Sequence, residues 1–435
     1  MPEASIHEDH YLDLGKNNIW ASRKLRVESV ANAGLLEQAP DLDFGASISP
    51  SYLRHETASR CSTHDVCQGS PQTPSYSVRT SLLAACRSVR MRSAGVVAVD
   101  VFCGAGGLTR GLLDAGIKVR AGYDIDGAAR YAYETNNHVS FHEIDVRKLR
   151  SPVVKRALTG GGSTLIAGCA PCQPFSLLGR TACSMDDSRS HLLREFSRLV
   201  YGVVPTYVTM ENVPGLRHTP AFDNLLKVLR MRGYFFDYAV VDAAFYGVPQ
   251  HRRRLVLVAS RKGPIRVPAG SVRAPMTVRE AIGGLRVIRS GGIDPGDPIH
   301  RSAKLTPLNL RRIRASRPGT TWQRWPPKLR LNCHLRSTGR EYVHTYGRMS
   351  WDSAAPTITA SFFNLGSGRF GHPAEDRALS LREGALLQTF PQSYRFTRKT
   401  ESMPVRHIGQ LIGNAVPVAL ARTIGEAIMD HERSG

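Results

Sequence analysis

The most reactive candidate in the sequence is Cys172, which lies between Pro171 and Pro174 after a short apolar run at residues 163–167. Proline fixes its own φ and constrains the residue before it, so we expect this loop to be stiff. In α/β enzymes the reacting side chains lie on loops at the carboxyl ends of strands. Because a thiolate is nucleophilic and can later leave, we predict that Cys172 is a catalytic nucleophile.

Three other side chains are candidates for catalytic work beside Cys172. Glu211 lies at the end of an apolar run and just before a Pro-Gly pair, which makes it a candidate acid or base. Arg252 and Arg254 lead into the apolar run at residues 255–259. Guanidinium groups at such a position favour binding of an anion or of the edge of a base.

A glycine-rich turn at residues 103–107 joins a β-branched run at residues 96–102 to a helical pattern, which favours a nucleotide-like ligand. Thr109 stands where the dinucleotide fingerprint has its third glycine, and this argues against a pyrophosphate. Asp124 follows the next strand, where an acid commonly binds ribose hydroxyls, although a helix N-cap is the alternative. With Asp145 after a third apolar run, the pattern favours a cofactor that contains adenosine.

Short apolar runs alternate with helical patterns from residue 96 onward, which predicts an α/β fold with a parallel sheet. A chain of 435 residues is long enough for two or three domains. The predicted strands lie at residues 96–102, 119–123, 144–146, 163–167, 206–210, 238–241 and 255–259.

The positive charge of the chain is concentrated in one segment. The net charge is +22, and residues 251–350 hold 22 Lys and Arg against 4 Asp and Glu. Such clustering indicates a polyanionic partner, above all nucleic acid, although a coding bias toward arginine is the alternative. Proline and glycine are frequent at residues 263–373, where long periodic helices are few, so we expect a separate domain there.

Aromatic residues alternate with the arginines of this basic segment. This mixture is typical of contact with the DNA backbone and reading of its grooves, but a small hydrophobic core is the alternative. The aromatic residues are Trp322, Trp325, Tyr342, Tyr346 and Trp351.

Residues 1–95 are charge-balanced and have weak periodicity, so their role is open and part of the segment is expected to be disordered. The spacing of Cys61 and Cys67 fits no common zinc pattern, and we expect no metal. The eight cysteines are scattered, and neither a signal peptide nor an apolar run of membrane-spanning length is present. We therefore expect a cytoplasmic protein.

Taken in order, these motifs resemble those of the DNA cytosine-5 methyltransferase family of the bacterial modification type, from about residue 96 to residue 429. Residues 100–107 are similar to its S-adenosylmethionine loop, Pro171-Cys172-Gln173 to its catalytic motif, and Glu211-Asn212-Val213 to its glutamate motif. Residues 250–254, 377–396 and 413–417 resemble three further motifs. Asp124 stands where many relatives have glutamate, and Ile125 replaces an aromatic residue.

The resemblance implies a Rossmann-like S-adenosylmethionine-dependent methyltransferase domain with a smaller, basic target-recognition domain. The implied boundaries are residues 96–262 for the catalytic domain, 263–373 for target recognition, and 374–435 for a segment that returns to the catalytic domain. The implied catalytic residues are Cys172, Glu211, Arg252 and Arg254, and the implied substrate-binding residues are Pro171, Gln173, Asn212 and Gln250. The implied cofactor-binding residues are Phe102, Gly104, Gly106, Gly107, Asp124, Ile125, Asp145, Val146, Asn414 and Val416.

The resemblance also implies a mechanism, in which the Cys172 thiolate adds to carbon 6 of a cytosine flipped out of the duplex. Glu211 would donate a proton toward N3, while Arg252 and Arg254 would hold O2 and a phosphate. The implied partner is double-stranded DNA, and the protein is expected to be a monomer without a membrane contact. A restriction endonuclease acting on the same site is an option that the sequence leaves open.

Three other functions remain as alternatives. An RNA cytosine-5 methyltransferase would use the same chemistry, and the large basic segment after Arg254 favours DNA over RNA. A catalytically idle DNA-binding protein would have no need of Cys172, Glu211 and Arg252 together. A flavin or nicotinamide oxidoreductase is disfavoured by Thr109. Cys169 forms a C-x-x-C pair with Cys172, as in redox enzymes, but the surrounding Pro-Cys-Gln-Pro-Phe-Ser and the separate Glu-Asn-Val motif argue against a redox role. We therefore expect Cys169 to have no role.

Overall fold

A seven-stranded sheet forms the centre of this computed structural model, which describes residues 95–160, 162–171, 190–336, 343–398 and 403–434. The strands are β1 (Val97–Val101), β2 (Lys118–Asp124), β3 (Ser140–Glu143), β4 (Thr164–Gly168), β5 (Tyr207–Asn212), β6 (Phe235–Asp242) and β7 (Arg253–Ser260). They lie in the order β3-β2-β1-β4-β5-β7-β6. Strands β1 to β5 are mutually parallel, and β7 is antiparallel to both of its neighbours. The predicted α/β class is confirmed.

The strand order reverses between β1 and β4, which pair in parallel with Val101 opposite Gly168. The chain therefore leaves both strands at the same edge of the sheet, with Phe102 after one strand and Cys169 after the other. Ligands of open α/β sheets bind at such a switch point, outside the carboxyl ends of the strands. The glycine turn and the loop that leads to Cys172 consequently begin side by side.

Helices cover both faces of the sheet, because the strands at its centre are apolar on both sides. On one face lie α1 (Gly107–Asp114) and α2 (Arg130–Asn137), which bury side chains such as Leu112 and Tyr133. On the other face lie α3 (Ser151–Ala157), α4 (Ser190–Val203) and α5 (Pro220–Met231), with Phe196 and Leu225 fully buried. The result is a three-layer sandwich with one hydrophobic core on each side of the sheet.

Three C-terminal helices complete the first of these layers: α9 (Leu381–Leu387), α10 (Val405–Asn414) and α11 (Val418–Ser434). Helix α11 packs along α1. By length and composition alone, the stretch Val405–Ser434 could cross a membrane. It consists of two helices that separate near Pro417, and most of it is buried against the sheet layer. The apolar composition of this stretch is therefore explained by its burial in the core.

The basic segment at residues 263–373 contains only short elements among its described residues. These are α6 (Val278–Ile282), β8 (Ile293–Asp294), β9 (Asp297–Arg301), α7 (Pro307–Arg314) and α8 (Asn332–Leu335), joined by turns. Some of its apolar side chains, including Ile299 and Met349, belong to the same hydrophobic cluster as the first helical layer. The domain boundaries remain predictions.

Two tryptophans of this segment belong to a small hydrophobic core, which is the alternative to DNA contact that the sequence offered. Trp322 and Trp325 are only 5% and 2% exposed and pack with Leu329. His334 stacks on Trp322 with ring centroids 4.1 Å apart. Tyr346 is half-buried against Trp325. Trp351 is half-buried with its ring edge against His372 and the guanidinium of Arg279 over its face, and Tyr342 lies outside the described residues.

Part of the positive charge of this segment is structural. The buried guanidinium of Arg348 donates to the carbonyl oxygens of Ser316, His372 and Ile313 and also pairs with Asp376. Carbonyl groups of irregular backbone that lie away from water need such partners, since an unpaired one costs roughly 1–3 kcal/mol. Buried arginines thus satisfy polar groups in a region with few regular hydrogen bonds, and they are not free to contact DNA.

The third predicted strand is wrong by a few residues. Strand β3 ends at Glu143, and residues 144–146, predicted as strand, lie beyond it. Asp145 instead accepts a hydrogen bond from the backbone N–H of Arg147 and pairs with its guanidinium at the start of a 3₁₀ turn. Capping by an aspartate competes with strand extension, and a short apolar run does not reveal which will form.

Candidate active site

The turn after β1 has a left-handed backbone at three of its residues. Phe102, Gly104 and Gly106 have φ values of 64°, 48° and 90°. A side chain at Gly106 would place its Cβ 2.3 Å from Nδ2 in the side chain of Asn137, so this position requires glycine. Phe102 has no such freedom and carries a strained conformation, which is typical of residues at functional sites. Its side chain lines the cavity described below.

Asp124 at the end of β2 holds this turn in place. Its Oδ2 accepts the N–H of Gly104 at 2.8 Å, and its Oδ1 accepts the N–H of Asp126 at 2.9 Å. Burial raises the pKa of the Asp124 carboxyl group, while these backbone N–H groups oppose the change. The helix cap that the sequence offered as an alternative belongs to Asp126, which accepts the N–H of Ala128. The cap is therefore made by Asp126, and ribose binding by Asp124 stays a prediction.

Thr109 has a structural role beneath the turn. Its hydroxyl donates to Oδ2 of Asp100 at 2.7 Å and lies 2.9 Å from the hydroxyl of Tyr133. All three side chains are fully buried. Burial raises the pKa of Asp100 to about 7, and the Thr109 hydroxyl opposes this change. The residue that breaks the dinucleotide fingerprint thus supports the loop from below.

A single cavity of about 540 Å³ extends from this turn to the ends of β4, β5 and β7. Its volume is that of a typical small-molecule site. Among the lining residues are Phe102, Gly104, Gly107 and Asp124 on one side and Asn414 and Val416 from the C-terminal motif. On the other side it is lined by Pro171, Glu211, Asn212, Arg252 and Arg254. Side chains predicted to serve two different ligands therefore share one space.

Glu211 lies in the wall of this cavity with only 4% of its surface exposed. Its Oε2 accepts a hydrogen bond from the thiol of Cys169 at 3.1 Å. Its Oε1 lies 3.1 Å from Nε of Arg254, close enough for an ion pair. The geometry of this pair does not make a hydrogen bond, and Oε1 has no hydrogen-bond partner among the described residues. One carboxylate oxygen thus remains able to bond to a ligand.

Arg252 connects the sheet to two distant segments. It is 3% exposed, and its terminal nitrogens donate to the carbonyl oxygens of Ile358, Gly413 and Ala415. Burial, with Arg254 acting in the same direction, lowers the pKa of Arg252 to about 9, so the guanidinium stays charged at neutral pH. Its Nε has no partner within the described part of the chain. Arg252 therefore positions the cavity wall and retains one free donor.

The comparisons with known proteins agree with this arrangement. A family model described as C-5 cytosine-specific DNA methylase matches residues 96–430. The chain belongs to this C-5 cytosine-specific DNA methylase family. It is 43% identical over 335 residues to the type II methylase M.HgiDII of Herpetosiphon aurantiacus, covering 76% of this chain and 94% of that protein. It is 30% identical to the type II methyltransferase M1.BsuMI of Bacillus subtilis, with 74% and 78% of the two chains covered.

Solved structures show the same fold. A prophage-encoded DNA modification methyltransferase (E. coli) superposes with a TM-score of 0.60 at 23% identity, covering 77% of this chain and 99% of that one. The S. pombe Dnmt2 methyltransferase gives a TM-score of 0.54 at 18% identity, with 77% and 98% covered. At these identities the likeness speaks for the fold alone. The likeness confirms the Rossmann-like methyltransferase fold. The family match and the relative at 43% identity make this protein a DNA cytosine-5 methyltransferase.

Not every predicted site residue of this DNA methylase lines the cavity. Cys172 and Gln173 lie outside the described residues. Gly106, Ile125, Asp145 and Val146 are not among the lining residues. The side chain of Ile125 is 66% exposed, and the carboxylate of Asp145 is engaged with Arg147.

Two predicted substrate-binding residues of the methylase make hydrogen bonds within the protein, and their role in substrate binding stays a prediction. Gln250 is fully buried, donating to the carbonyl of Leu387 and accepting the N–H of Ile358. Asn212 donates to the carbonyl of Ala170 at 2.9 Å and so connects the end of β5 to the segment that leads to Cys172. Asn212 lines the cavity and Gln250 does not.

The sequence motifs missed one segment of the methylase site. Residues 357–360 line the cavity, and Thr357 is held there because its hydroxyl donates to the carbonyl of His251. Gln410 on α10 and Cys169 after β4 also line it. The segment has no periodic pattern, and it is brought to the cavity by Gln250 and Arg252, more than one hundred residues earlier. Of these residues, only Gln410 could have been predicted to line the cavity, because it lies just before the last motif.

Replacement of Arg252 by methionine is expected to destabilise the methylase by about 3 kcal/mol, because it leaves buried carbonyl groups without donors. The free energy of unfolding in urea, followed by circular dichroism, measures this. The control is Arg253→Met, since Arg253 is exposed and should change the stability by less than about 0.5 kcal/mol. Equal stability of the two variants would show that Arg252 does not support the cavity wall.

Proposed function

We propose that the protein transfers a methyl group from S-adenosyl-L-methionine to carbon 5 of a cytosine flipped out of duplex DNA, with Cys172 as the covalent nucleophile. The observation that carries this proposal is the single cavity shared by the glycine turn after β1 and by Glu211, Arg252 and Arg254. A methyl transfer needs donor and acceptor in one enclosed space, and this cavity supplies it.

The turn side of the cavity suits the adenosine and amino acid parts of the cofactor. Asp124 is at the strand end where carboxylates bind ribose hydroxyls, and each of its oxygens has a second lone pair beyond the backbone contact. The ring of Phe102 and the side-chain amide of Asn414 are also available to the cofactor, since both residues line the cavity. When bound there, S-adenosyl-L-methionine supplies an electrophilic methyl group.

The other side of the cavity suits a pyrimidine. Attack of the Cys172 thiolate on carbon 6 forms a carbon–sulfur bond and moves electron density through carbon 5 and toward N3. A proton from Glu211 at N3 neutralises that charge, which makes carbon 5 an enamine-type nucleophile. The free Nε donor of Arg252 and the cation of Arg254 stabilise charge at O2 or at the neighbouring phosphate.

After methylation the adduct must collapse to restore the aromatic ring. A base removes the proton from carbon 5, and the electron pair of that bond re-forms the double bond as the Cys172 sulfur leaves. The proton at N3 returns to Glu211, which restores the neutral base and the acid form of the side chain. The tie between Asn212 and Ala170 supports this chemistry by holding the start of the catalytic loop beside Glu211. The products are 5-methylcytosine and S-adenosylhomocysteine.

DNA binding by the basic segment must offset the few kcal/mol that base flipping costs. Besides its buried arginines, this segment has exposed cations whose side chains make no hydrogen bond or ion pair with another described residue. They include Arg266, Arg273, Arg289, Lys304, Arg311, Arg317, Arg324 and Lys328. Phosphate contacts by exposed Lys and Arg supply most of the sequence-independent affinity of a DNA-binding protein.

The affinity for duplex DNA is therefore expected to fall steeply with salt, by about 10³-fold between 50 and 200 mM, if six or more phosphates are neutralised. Fluorescence anisotropy of a labelled duplex across this range would measure it. Cofactor binding by calorimetry over the same range is the control and should change by less than about twofold. A DNA affinity independent of salt would contradict the proposed role of residues 263–373.

The biological setting that fits this activity is DNA modification in the cytoplasm. The relatives named above are type II methylases, which supports a modification role with or without a cognate endonuclease, and the enzyme is proposed to act as a monomer. Bisulfite sequencing of host DNA after expression tests the activity and reads the target site at once. If every cytosine in the host DNA were converted by bisulfite, whatever its sequence context, the proposal would be refuted.

A further inference from the structure

The thiol of Cys169 makes a contact that the proposed mechanism does not use. Cys169 follows β4 three positions before Cys172, and its Sγ donates to Oε2 of Glu211 at 3.1 Å. Both side chains line the cavity. The sequence suggested that Cys169 has no role, but the structure brings it within hydrogen-bond distance of the predicted proton donor.

The surroundings of Cys169 keep it a thiol. Burial, reinforced by the nearby Glu211 carboxylate, raises the pKa of Cys169 well above its usual value. A thiol that stays protonated is a hydrogen-bond donor and a poor nucleophile. Cys169 therefore differs in kind from the nucleophile proposed at Cys172, although only two residues separate them.

The contact also makes the two oxygens of Glu211 unequal. A carboxyl group has a broad, roughly two-fold torsion at its end, so packing alone leaves its oxygens nearly interchangeable. The Cys169 donor occupies Oε2, whereas Oε1 accepts no hydrogen bond among the described residues and faces the cation of Arg254. Oε1 is thus the oxygen left to exchange a proton with a ligand.

We propose that Cys169 is a positioning residue for the methyl transfer, holding the Glu211 carboxyl group through its S–H donor so that Oε1 meets N3 of the cytosine. The proposal rests on the proposed function, since Glu211 matters here as a proton donor. In the C-x-x-C pair, the sulfur of Cys169 would therefore orient the Glu211 carboxyl group, and the sulfur of Cys172 would attack the cytosine.

The test compares Cys169→Ala, which removes the donor, with Cys169→Ser, which keeps an O–H donor of similar size. Cys169→Ala is expected to lower kcat roughly tenfold with KM for DNA and for the cofactor changed by less than about twofold. Cys169→Ser is expected to stay within about twofold of the wild-type kcat. Unchanged kcat in the alanine variant, or equal losses in both variants, would overturn the proposal.

A double-mutant cycle separates action through Glu211 from a general packing effect. In the Glu211→Gln background the alanine substitution should cost nothing further, since the group that it positions is gone. Additive losses would show that Cys169 acts elsewhere. Single-turnover transfer of a tritiated methyl group is sensitive enough for these slow variants.

A measurement on the wild-type enzyme covers the case in which Cys169→Ala fails to fold. The Raman S–H band isolated as wild type minus Cys169→Ser should show a hydrogen-bonded thiol. The same difference taken in the Glu211→Leu background, which has no acceptor, should give a band at higher wavenumber. A band that does not respond to Glu211→Leu would overturn the contact. Wild-type methylation of duplex DNA and its loss in Cys172→Ala test the proposed function separately, so the two failures are distinguishable.

Discussion

Replacement of Cys172 by alanine is expected to abolish methyl transfer, lowering kcat by about 10⁴-fold or more, because no covalent adduct can form at carbon 6. Cofactor affinity should stay within about twofold of the wild type, since the turn after β1 and Asp124 form the other side of the cavity. Transfer of tritiated methyl groups to duplex DNA measures the first effect, and titration calorimetry measures the second.

The matched control for this variant is Cys333→Ala, which removes an exposed thiol on α8 and should leave the kcat unchanged. Cys169 cannot take over the lost function, because its half-buried thiol donates to Glu211 and has a pKa raised well above its usual value. Methyl transfer retained by Cys172→Ala would refute covalent catalysis by this residue, whatever the state of the rest of the site.

Replacement of Glu211 by glutamine is expected to lower kcat by about 10²–10⁴-fold, the range over which general acids contribute. Glutamine keeps the size of the side chain and can still accept a hydrogen bond from Cys169, but it cannot transfer a proton to N3. The KM for the cofactor should change little. Steady-state kinetics with a hemimethylated or unmethylated duplex, over a range of both substrates, separates the two parameters.

Glu426→Gln is the control for the replacement of a glutamate by a glutamine. Glu426 lies on α11, its side chain is 44% exposed, and its partner is Arg422 one turn earlier. Exposed ion pairs of this type contribute little, so activity and stability should match the wild type. A kcat for Glu211→Gln equal to that of Glu426→Gln would exclude Glu211 as the proton donor.

Local patterns were sufficient to predict most strands of the sheet, but not that β7 is antiparallel to its neighbours. The β-branched run before the glycine turn forms β1, and the apolar runs before Cys169 and before Glu211 form β4 and β5. Strands buried on both faces are apolar throughout, so they are visible in sequence without any partner. The error at residues 144–146 arose where the apolar run was short and a polar cap decided the structure.

The sequence also determined which chemical groups gather at the carboxyl edge of the sheet. Asp124 and Glu211 are at strand ends, and parallel strands deliver their ends to one edge. This geometry follows from chain direction alone, so it needs no knowledge of packing. The family to which the chain belongs was recognisable from the same motifs, in the same order.

Only the tertiary structure decided how these groups divide the work. The resemblance implies substrate binding for Gln250 and catalysis for Arg252, and the structure adds that both side chains bind backbone groups near residues 358 and 413. Cys169, which was expected from the sequence to have no role, donates a hydrogen bond to Glu211. Each of these contacts joins positions more than 40 residues apart. Hydrogen bonds of side chains depend on which segments meet in space, and a one-dimensional pattern does not contain that information.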